Sequence, residues 1–246
     1  MNLILLRHGQ STWNLENRFT GWKDVPLTKL GIEEAEYSGE KILENQFNIQ
    51  SIYTSLLNRA TETSNIVAQI INYPKAEIKN DWRLNERHYG ALEGLNKSET
   101  AKKYGENQVK IWRRSFDIPP PKLEINDRRH PKNNSKFSNL ECELPLGESL
   151  KEVIIRLKPF LHNYFDFIKK NKGDHLIVAH SNSLRAIVKI LEGLSDNKII
   201  EVNIPTGVPL VYELTNDLTI NNKKYLMDEI TLSKKKEIVK NQGKIK

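Results

Sequence analysis

Four consecutive apolar residues, Leu3-Ile4-Leu5-Leu6, break abruptly into Arg7-His8-Gly9. A short apolar run bounded by polar residues predicts a strand buried on both faces, as in a parallel sheet. The same switch recurs further along. Ile49 to Ser55 reads as a strand, followed by a helix that carries Ile66, Val67, Ile70 and Ile71 and has Arg59 near its start. Asp174 to Ala179 reads as a strand ending at His180, and Leu184 to Leu191 resumes as a helix with Ser181, Asn182 or Ser183 as its cap. Ile32 to Leu43 predicts a helix capped by Thr28 that turns Ala35, Ile42 and Leu43 inward. Ala76 to Lys79 predicts a short strand and Ser98 to Trp112 one helix. Leu150 to Lys170 predicts a long helix with Val153, Leu157, Phe160, Leu161, Tyr164 and Phe165 on its apolar face and a kink at Pro159. Leu210 to Leu214 predicts the strand that finishes the sheet.

Strands alternating with helices predict a three-layer α/β sandwich, its mainly parallel sheet flanked by helices. Ligands of such sheets bind beyond the carboxyl ends of the strands. That edge would gather Arg7, His8, Arg59 and His180. Two histidines invite a metal, but no carboxylate sits at matching spacing and the arginines would repel a cation. Arginines around histidines suit a phosphate, with Arg7 holding its oxygens and His8 attacking it. Gly9 would let the backbone approach the anion, and Ser11, Thr12 and Asn14 would add polar donors. Trp82 to Gly90 has the polar-aromatic composition of a pocket wall, with Glu86 as a carboxylate able to pass a proton. Arg113 and Arg114, at the end of a predicted helix, could share one multivalent anion.

Composition limits the remaining choices. The 246 residues, 38% hydrophobic and 28% charged, fit one soluble domain over 1–246. The proline- and asparagine-rich stretch from Pro119 to about Pro145 is too long for an ordinary connection, so a lid or insertion is expected at about 90–146. The single cysteine, Cys142, leaves no intrachain disulfide or cysteine-based zinc site. The apolar run after Met1 is too short for a secretory signal and no stretch could span a membrane, so a cytoplasmic location is expected. The net charge of +7 is concentrated at the end, where residues 229–246 hold six lysines against two glutamates. A mobile basic tail is expected there, with lysines able to close over an anion. No nucleic-acid-binding module accompanies it, so neither nucleic acid nor membrane is expected as a partner.

Arg7-His8-Gly9, Arg59 with the following Ala60, and His180 resemble the marks of the histidine phosphatase superfamily. The resemblance is closer to the cofactor-dependent phosphoglycerate mutases and covers essentially the whole chain. Matching blocks run from Arg7 to Asn14, Arg18 to Trp22, Ser55 to Thr63, Glu86 to Gly94, Trp112 to Pro121, Arg129 to Pro131 and Asn203 to Leu214, with the ending Lys240 to Lys244. The resemblance implies interconversion of 3-phosphoglycerate and 2-phosphoglycerate in glycolysis and gluconeogenesis, primed by 2,3-bisphosphoglycerate and needing no metal. It implies that His8 becomes phosphorylated, that Arg7, Arg59 and His180 line the phosphoryl pocket, and that Glu86 donates and accepts the substrate's proton. Gly9, Gln10, Ser11, Thr12, Trp13, Asn14, Thr20, Gly21, Arg87, His88, Tyr89, Lys97, Arg113, Arg114, Ser181 and Asn182 complete the implied binding set. A homo-oligomer, dimer or tetramer, is implied as well.

Two positions depart from the family pattern. Ser181 stands where glycine usually follows the second histidine, which would cost stability if that backbone needed positive φ and could alter affinity or phosphatase leakage. Gln10 replaces a common glutamate. Bisphosphoglycerate mutases typically carry glycine at the position of Ser11 and cysteine at that of Thr20, and a broad phosphatase would not be expected to keep the Trp112–Pro121 block.

Overall fold

Leu3 to Leu6 are fully buried because helices cover both faces of their strand. The computed structural model describes residues 1–245. In chain order the elements are β1 (Asn2–Arg7), α1 (Thr12–Leu15), α2 (Lys29–Glu44), β2 (Ile49–Thr54), α3 (Asn58–Ile70), β3 (Lys79–Asn80), α4 (Lys97–Tyr104) and α5 (Glu106–Arg114). Then follow α6 (Leu150–Lys170), β4 (Asp174–Ala179), α7 (Ser181–Glu192), α8 (Lys198–Glu201), β5 (Leu210–Leu214), β6 (Ile220–Tyr225) and α9 (Glu229–Asn241). One six-stranded sheet has the order β3-β2-β4-β1-β5-β6. The first four strands in that order run parallel; β5 and β6 are antiparallel additions at one edge. This is the three-layer α/β sandwich with a mixed, mainly parallel sheet.

Alternation along the central strands assigns the two cores. Leu3, Leu5, Ile177 and Ala179 pack against α6 and α7 on one face. Ile4, Leu6, Leu176 and Val178 pack with Ile42 of α2 and Val67 of α3 on the other. Register then determines where the chemistry falls. Arg7 pairs with Ala179, and the His8 N–H donates to the Ala179 carbonyl at 3.0 Å, so Arg7-His8 and His180 leave adjacent strands side by side.

The helix ends are capped largely as their residue types lead one to expect. Thr28 accepts the Gly31 N–H at 3.0 Å at the start of α2. Ser149 and Glu152 form a reciprocal capping box at the start of α6. Pro159 lies inside α6 on its exposed face, where water can satisfy the carbonyl that the ring leaves free. The cap of α7 is not Ser181, Asn182 or Ser183, which lie inside the helix, but His180, whose N–H donates to Ser183 Oγ at 3.1 Å.

Several expectations need correction. Leu43 is 51% exposed, just past the buried stripe of α2. The stretch 76–79 is mostly a 3-10 turn, Lys75–Glu77, entered from Pro74, and the strand after it is only Lys79–Asn80. The single helix expected from Ser98 to Trp112 is two, because Gly105 adopts φ +88°, a left-handed region that ends α4 and redirects α5. Leu210 to Leu214 does not finish the sheet: β6 adds a polar edge strand whose lysines discourage further pairing. Residues 229–241 are helical, and Val239 of that helix is buried.

Between α5 and α6 the chain is irregular apart from the turn Pro131–Asn133. This long segment packs Phe137 against Trp22 at a ring separation of 4.9 Å and pairs Leu123 with Leu146 through their backbones. Among the described residues no helix is long and apolar enough to cross a membrane.

Arg156 of α6 ties this wall to the core. Its guanidinium pairs with Glu148 at 2.6 Å and donates to the carbonyls of Asn85 and Glu86 at 2.8 and 3.0 Å. Both members of the ion pair are buried. Removing one partner strands the other charge, so Arg156→Met is expected to destabilise the fold by about 3 kcal/mol in urea unfolding.

Candidate active site

Arg7, His8, Asn14, Thr20, Arg59, Glu86, Tyr89, Lys97, Arg113, Arg114, Ser181 and Asn182 line one space at the carboxyl edge of the sheet. The two histidine rings lie 4.9 Å apart, and Arg59 Nε is 3.2 Å from His8 Nε2. His8 Nδ1 lies 2.7 Å from the Gly9 carbonyl, which can only accept, so Nδ1 carries the proton and Nε2 the lone pair. Burial first, then the charges of Arg59 and Arg7, hold the His8 imidazole well below the usual histidine range. A neutral ring with its lone pair on Nε2 is the form that attacks phosphorus. His180 is likewise kept neutral by burial and by Arg59; its Nε2 is 2.7 Å from Ser55 Oγ while its Nδ1 has no partner among the described residues.

The arginines are fixed by main-chain carbonyls. Arg7 donates to Ile204 at 2.9 Å, Arg59 to Gly21 and Lys23 at 2.9 and 3.0 Å, and Arg114 to Val202 at 3.3 Å and Val239 at 3.2 Å. Arg113 donates to the Gln242 carbonyl of the tail. Neutral carbonyls solvate a guanidinium without cancelling its charge. Among the described residues lining the space, Glu86 is the sole carboxylate. Burial pulls Arg59 down to about 10; burial and the neighbouring Arg114 pull Arg113 down to about 9. Burial and Arg113 hold Lys97 well below the usual lysine range. Such crowding favours a ligand with several negative charges.

Glu86 is held at one oxygen. Its Oε1 accepts the N–H of Arg87 at 2.7 Å and of Asn182 at 3.1 Å. No hydrogen bond engages Oε2 among the described residues, which leaves it able to accept a proton from a bound hydroxyl.

Other predicted binding residues stand behind this space. A Cβ on Gly9 would lie 2.0 Å from the Gly31 carbonyl oxygen, so glycine is required there by the close approach of α2 rather than by an anion. The Gly9 N–H donates to Thr63 Oγ1 at 3.1 Å, and the Gln10 N–H to Glu34 Oε2 at 2.7 Å. Ser11 caps α1, so its effect on the site passes through Asn14 and the local backbone. Thr12 opens that helix, and Trp13 lines a neighbouring cleft. Gly21 contributes the carbonyl under Arg59. Arg87 is buried over the Tyr89 ring at 4.9 Å and donates to the Arg113 carbonyl. His88, pulled down to about 3 by burial and by His130, accepts the Gly90 N–H at 3.1 Å.

Ser181 is the first residue of α7 and lies outside the positive-φ set, so a side chain there carries no backbone strain. The residues that sequence reasoning missed are Arg18, Arg185, Val239 and Gln242. Arg18 belongs to a polar loop whose charge was the available signal; Arg185 sits one turn into an apolar helix and gave none. Among the described residues the tail reaches the space through Val239 and Gln242, while Lys235 pairs with Glu34 at 2.5 Å.

The chain matches the histidine phosphatase superfamily (branch 1) over residues 3–127 and 123–219. It is 49% identical over 243 residues to the 2,3-bisphosphoglycerate-dependent phosphoglycerate mutase of Hydrogenobaculum sp., covering 98% of each chain. It is 49% identical over 247 residues to the protein of the same name from Treponema denticola, covering 100% of each. Among solved structures, mycobacterial glucosyl-3-phosphoglycerate phosphatase aligns with a TM-score of 0.69 at 20% identity, over 91% of this chain and 96% of that one. Bacillus stearothermophilus YhfR aligns with a TM-score of 0.67 at 23% identity, over 89% and 94%. Those two likenesses concern the fold, whereas the full-length identities and the profile match reach the sequence itself: the chain belongs to the histidine phosphatase superfamily.

Proposed function

We propose that this chain is a phosphoglycerate mutase that interconverts 3-phosphoglycerate and 2-phosphoglycerate through phosphorylation of His8, primed by 2,3-bisphosphoglycerate. The observation that carries the reading is the surplus of buried cations: Lys97, Arg113 and Arg114 share one space with His8, Arg7 and Arg59. A simple phosphomonoesterase needs cations for one phosphate. A substrate bearing a phosphate and a carboxylate needs more, and a bisphosphate more again. The full-length likeness to two proteins of that name supports the same reading.

The unpartnered Arg7 Nε and His180 Nδ1, both buried, fit an anionic group that would complete their hydrogen bonds. Arg7, Arg59 and His180 would hold one phosphoryl group of 2,3-bisphosphoglycerate, and Lys97, Arg113 and Arg114 its far charges. When bound, that molecule supplies the phosphoryl group that His8 carries. In the step with substrate, the hydroxyl oxygen of phosphoglycerate bonds to phosphorus, the bond from phosphorus to Nε2 breaks, and Nε2 recovers its lone pair. Glu86 takes the hydroxyl proton. The reverse transfer, from the substrate's other phosphate, returns the proton from Glu86 to the oxygen left behind. Most of the rate would come from positioning and from fixed positive charge in a dry site. Asn14, Thr20, Tyr89, Ser181 and Asn182 would orient the substrate from the walls. The space is about 40 Å³, so the tail residues Val239 and Gln242 would move aside to admit substrate. A cytoplasmic homodimer or homotetramer acting without nucleic acid, membrane or metal belongs to the same reading and rests on the resemblance.

Conversion of 3-phosphoglycerate to 2-phosphoglycerate, measured in excess chelator with and without trace 2,3-bisphosphoglycerate, tests the proposal. Turnover is expected to survive the chelator, to rise with the bisphosphate, and to fall by about 10⁴-fold or more in His8→Ala. Release of phosphate from simple monoesters without mutase turnover would make the chain a phosphatase.

Lys97 gives a second test. Burial holds its pKa down and an anion settling beside it raises it, so binding takes up protons wherever the free lysine is partly deprotonated and weakens as pH climbs above the lysine's lowered value. Calorimetry of 3-phosphoglycerate binding in two buffers of different ionisation enthalpy is expected to show proton uptake that is smaller in Lys97→Met. Equal uptake in both proteins would remove Lys97 from the site.

A further inference from the structure

Glu93 is a buried carboxylate that the reaction above does not use. It follows the 3-10 turn Gly90–Leu92 and lines a cleft of about 1170 Å³ between Trp13, Trp22 and the segment that carries Arg129 and Phe137. Its Oε2 accepts the Trp22 N–H at 3.2 Å. Gly21 turns there at φ +55°, and a Cβ on it would stand 2.8 Å from Oε2, so the bare glycine lets the carboxylate lie directly against the loop. That loop is the mounting for Arg59, whose terminal nitrogens donate to the Gly21 and Lys23 carbonyls at 2.9 and 3.0 Å. Arg59 Nε in turn meets His8 Nε2 at 3.2 Å. Glu93 thus reaches the nucleophile through one loop and one guanidinium.

We propose that Glu93 is a positioning residue whose negative charge braces the Thr20–Lys23 loop and so sets Arg59, making the strength of the phosphoryl pocket depend on whether Glu93 is ionised. The mutase reading enters only in saying which phosphate esters the pocket turns over. The charge is poised to change near neutrality. Burial pushes the Glu93 carboxyl up to about 7, against the Trp22 N–H, Arg129 and Lys23, which favour its ionised form. Several charged groups face it. Arg129 donates to the Glu93 carbonyl at 3.0 Å and pairs with Asp127, and Arg128 and His130 line the same cleft. Lys23 stands on the loop itself, and Arg59 lies beyond it and feels the Glu93 charge. A protonated carboxyl accepts an N–H less strongly than a carboxylate does. The loop under Arg59 therefore loosens as pH falls through about 7. Glutamine keeps the shape and an acceptor oxygen but never carries the charge, so Glu93→Gln separates charge from packing.

The test is calorimetric binding of inorganic phosphate from pH 6 to 8.5 to the wild type, Glu93→Gln and Arg129→Met, with mutase turnover recorded alongside. Phosphate's own ionisation is common to all three proteins and cancels in the ratio of affinities. At pH 8 Glu93→Gln is expected to bind about tenfold more weakly than wild type, and at pH 6 within about twofold of it, the ratio following one ionisation near 7. Arg129→Met removes a cation that favours the carboxylate, so the wild-type midpoint is expected to move to higher pH. That comparison stands even if Glu93→Gln does not fold. A ratio constant across pH, or a midpoint unmoved by Arg129→Met, would overturn the proposal. Absence of mutase turnover with the pH-dependent ratio intact would overturn the functional reading and leave Glu93 in place.

Discussion

Burying Arg7, Arg59, Arg113, Arg114, Arg185 and Lys97 around one space, with a single carboxylate among the described residues of its lining, is the constraint to which the rest of the molecule answers. Desolvating each cation costs several kcal/mol even after relaxation. The fold offsets this with main-chain carbonyls drawn from distant parts of the chain: Ile204, Gly21, Lys23, Val202, Ile199 and, from the tail, Val239 and Gln242. Because those carbonyls are neutral, the positive charge survives for an anion to meet. The irregular stretches at Gly21–Lys23 and Val202–Ile204 each bring carbonyls to a guanidinium in this way.

The parallel sheet supplies the rigid frame. β1 and β4 run side by side in register, so the residues after each strand, His8 and His180, emerge together without any further device. Arg59 arrives from β2, the strand on the other side of β4, through the first turn of α3. The remaining cations come from helices, Lys97 on α4, Arg113 and Arg114 on α5 and Arg185 on α7, with Val239 of α9 as a cover. Phosphoryl transfer asks mainly for fixed charge and alignment. A site in which strands hold the reacting groups and helices bring the far cations meets both needs.

What could be read from the chain follows from how each feature is encoded. Strands covered on both faces announce themselves as apolar runs, so β1, β2 and β4 were legible, as were the residues that immediately follow them. The threonine cap at Thr28 was legible for the same local reason. Features decided by tertiary contact were not. Gly9 invited an anion, but its requirement comes from Gly31, more than twenty residues on. Gly105 divides a helix whose flanking residues give no warning. β6 carries no apolar alternation because it is an exposed edge, and Arg185 lies buried in a helix that otherwise reads as core. The glycine-to-serine change at 181 could be judged only once its backbone was seen to be helical.

The central claim is that His8 Nε2 accepts a phosphoryl group in a pocket built of buried cations. Mass spectrometry of the protein after brief exposure to 2,3-bisphosphoglycerate, with digestion under alkaline conditions that preserve a nitrogen–phosphorus bond, tests it most directly. The account predicts one phosphoryl group on the peptide containing His8, lost on mild acid treatment. A phosphoryl group on another residue, or an unmodified His8 peptide in a protein that still turns over phosphoglycerate, would contradict it.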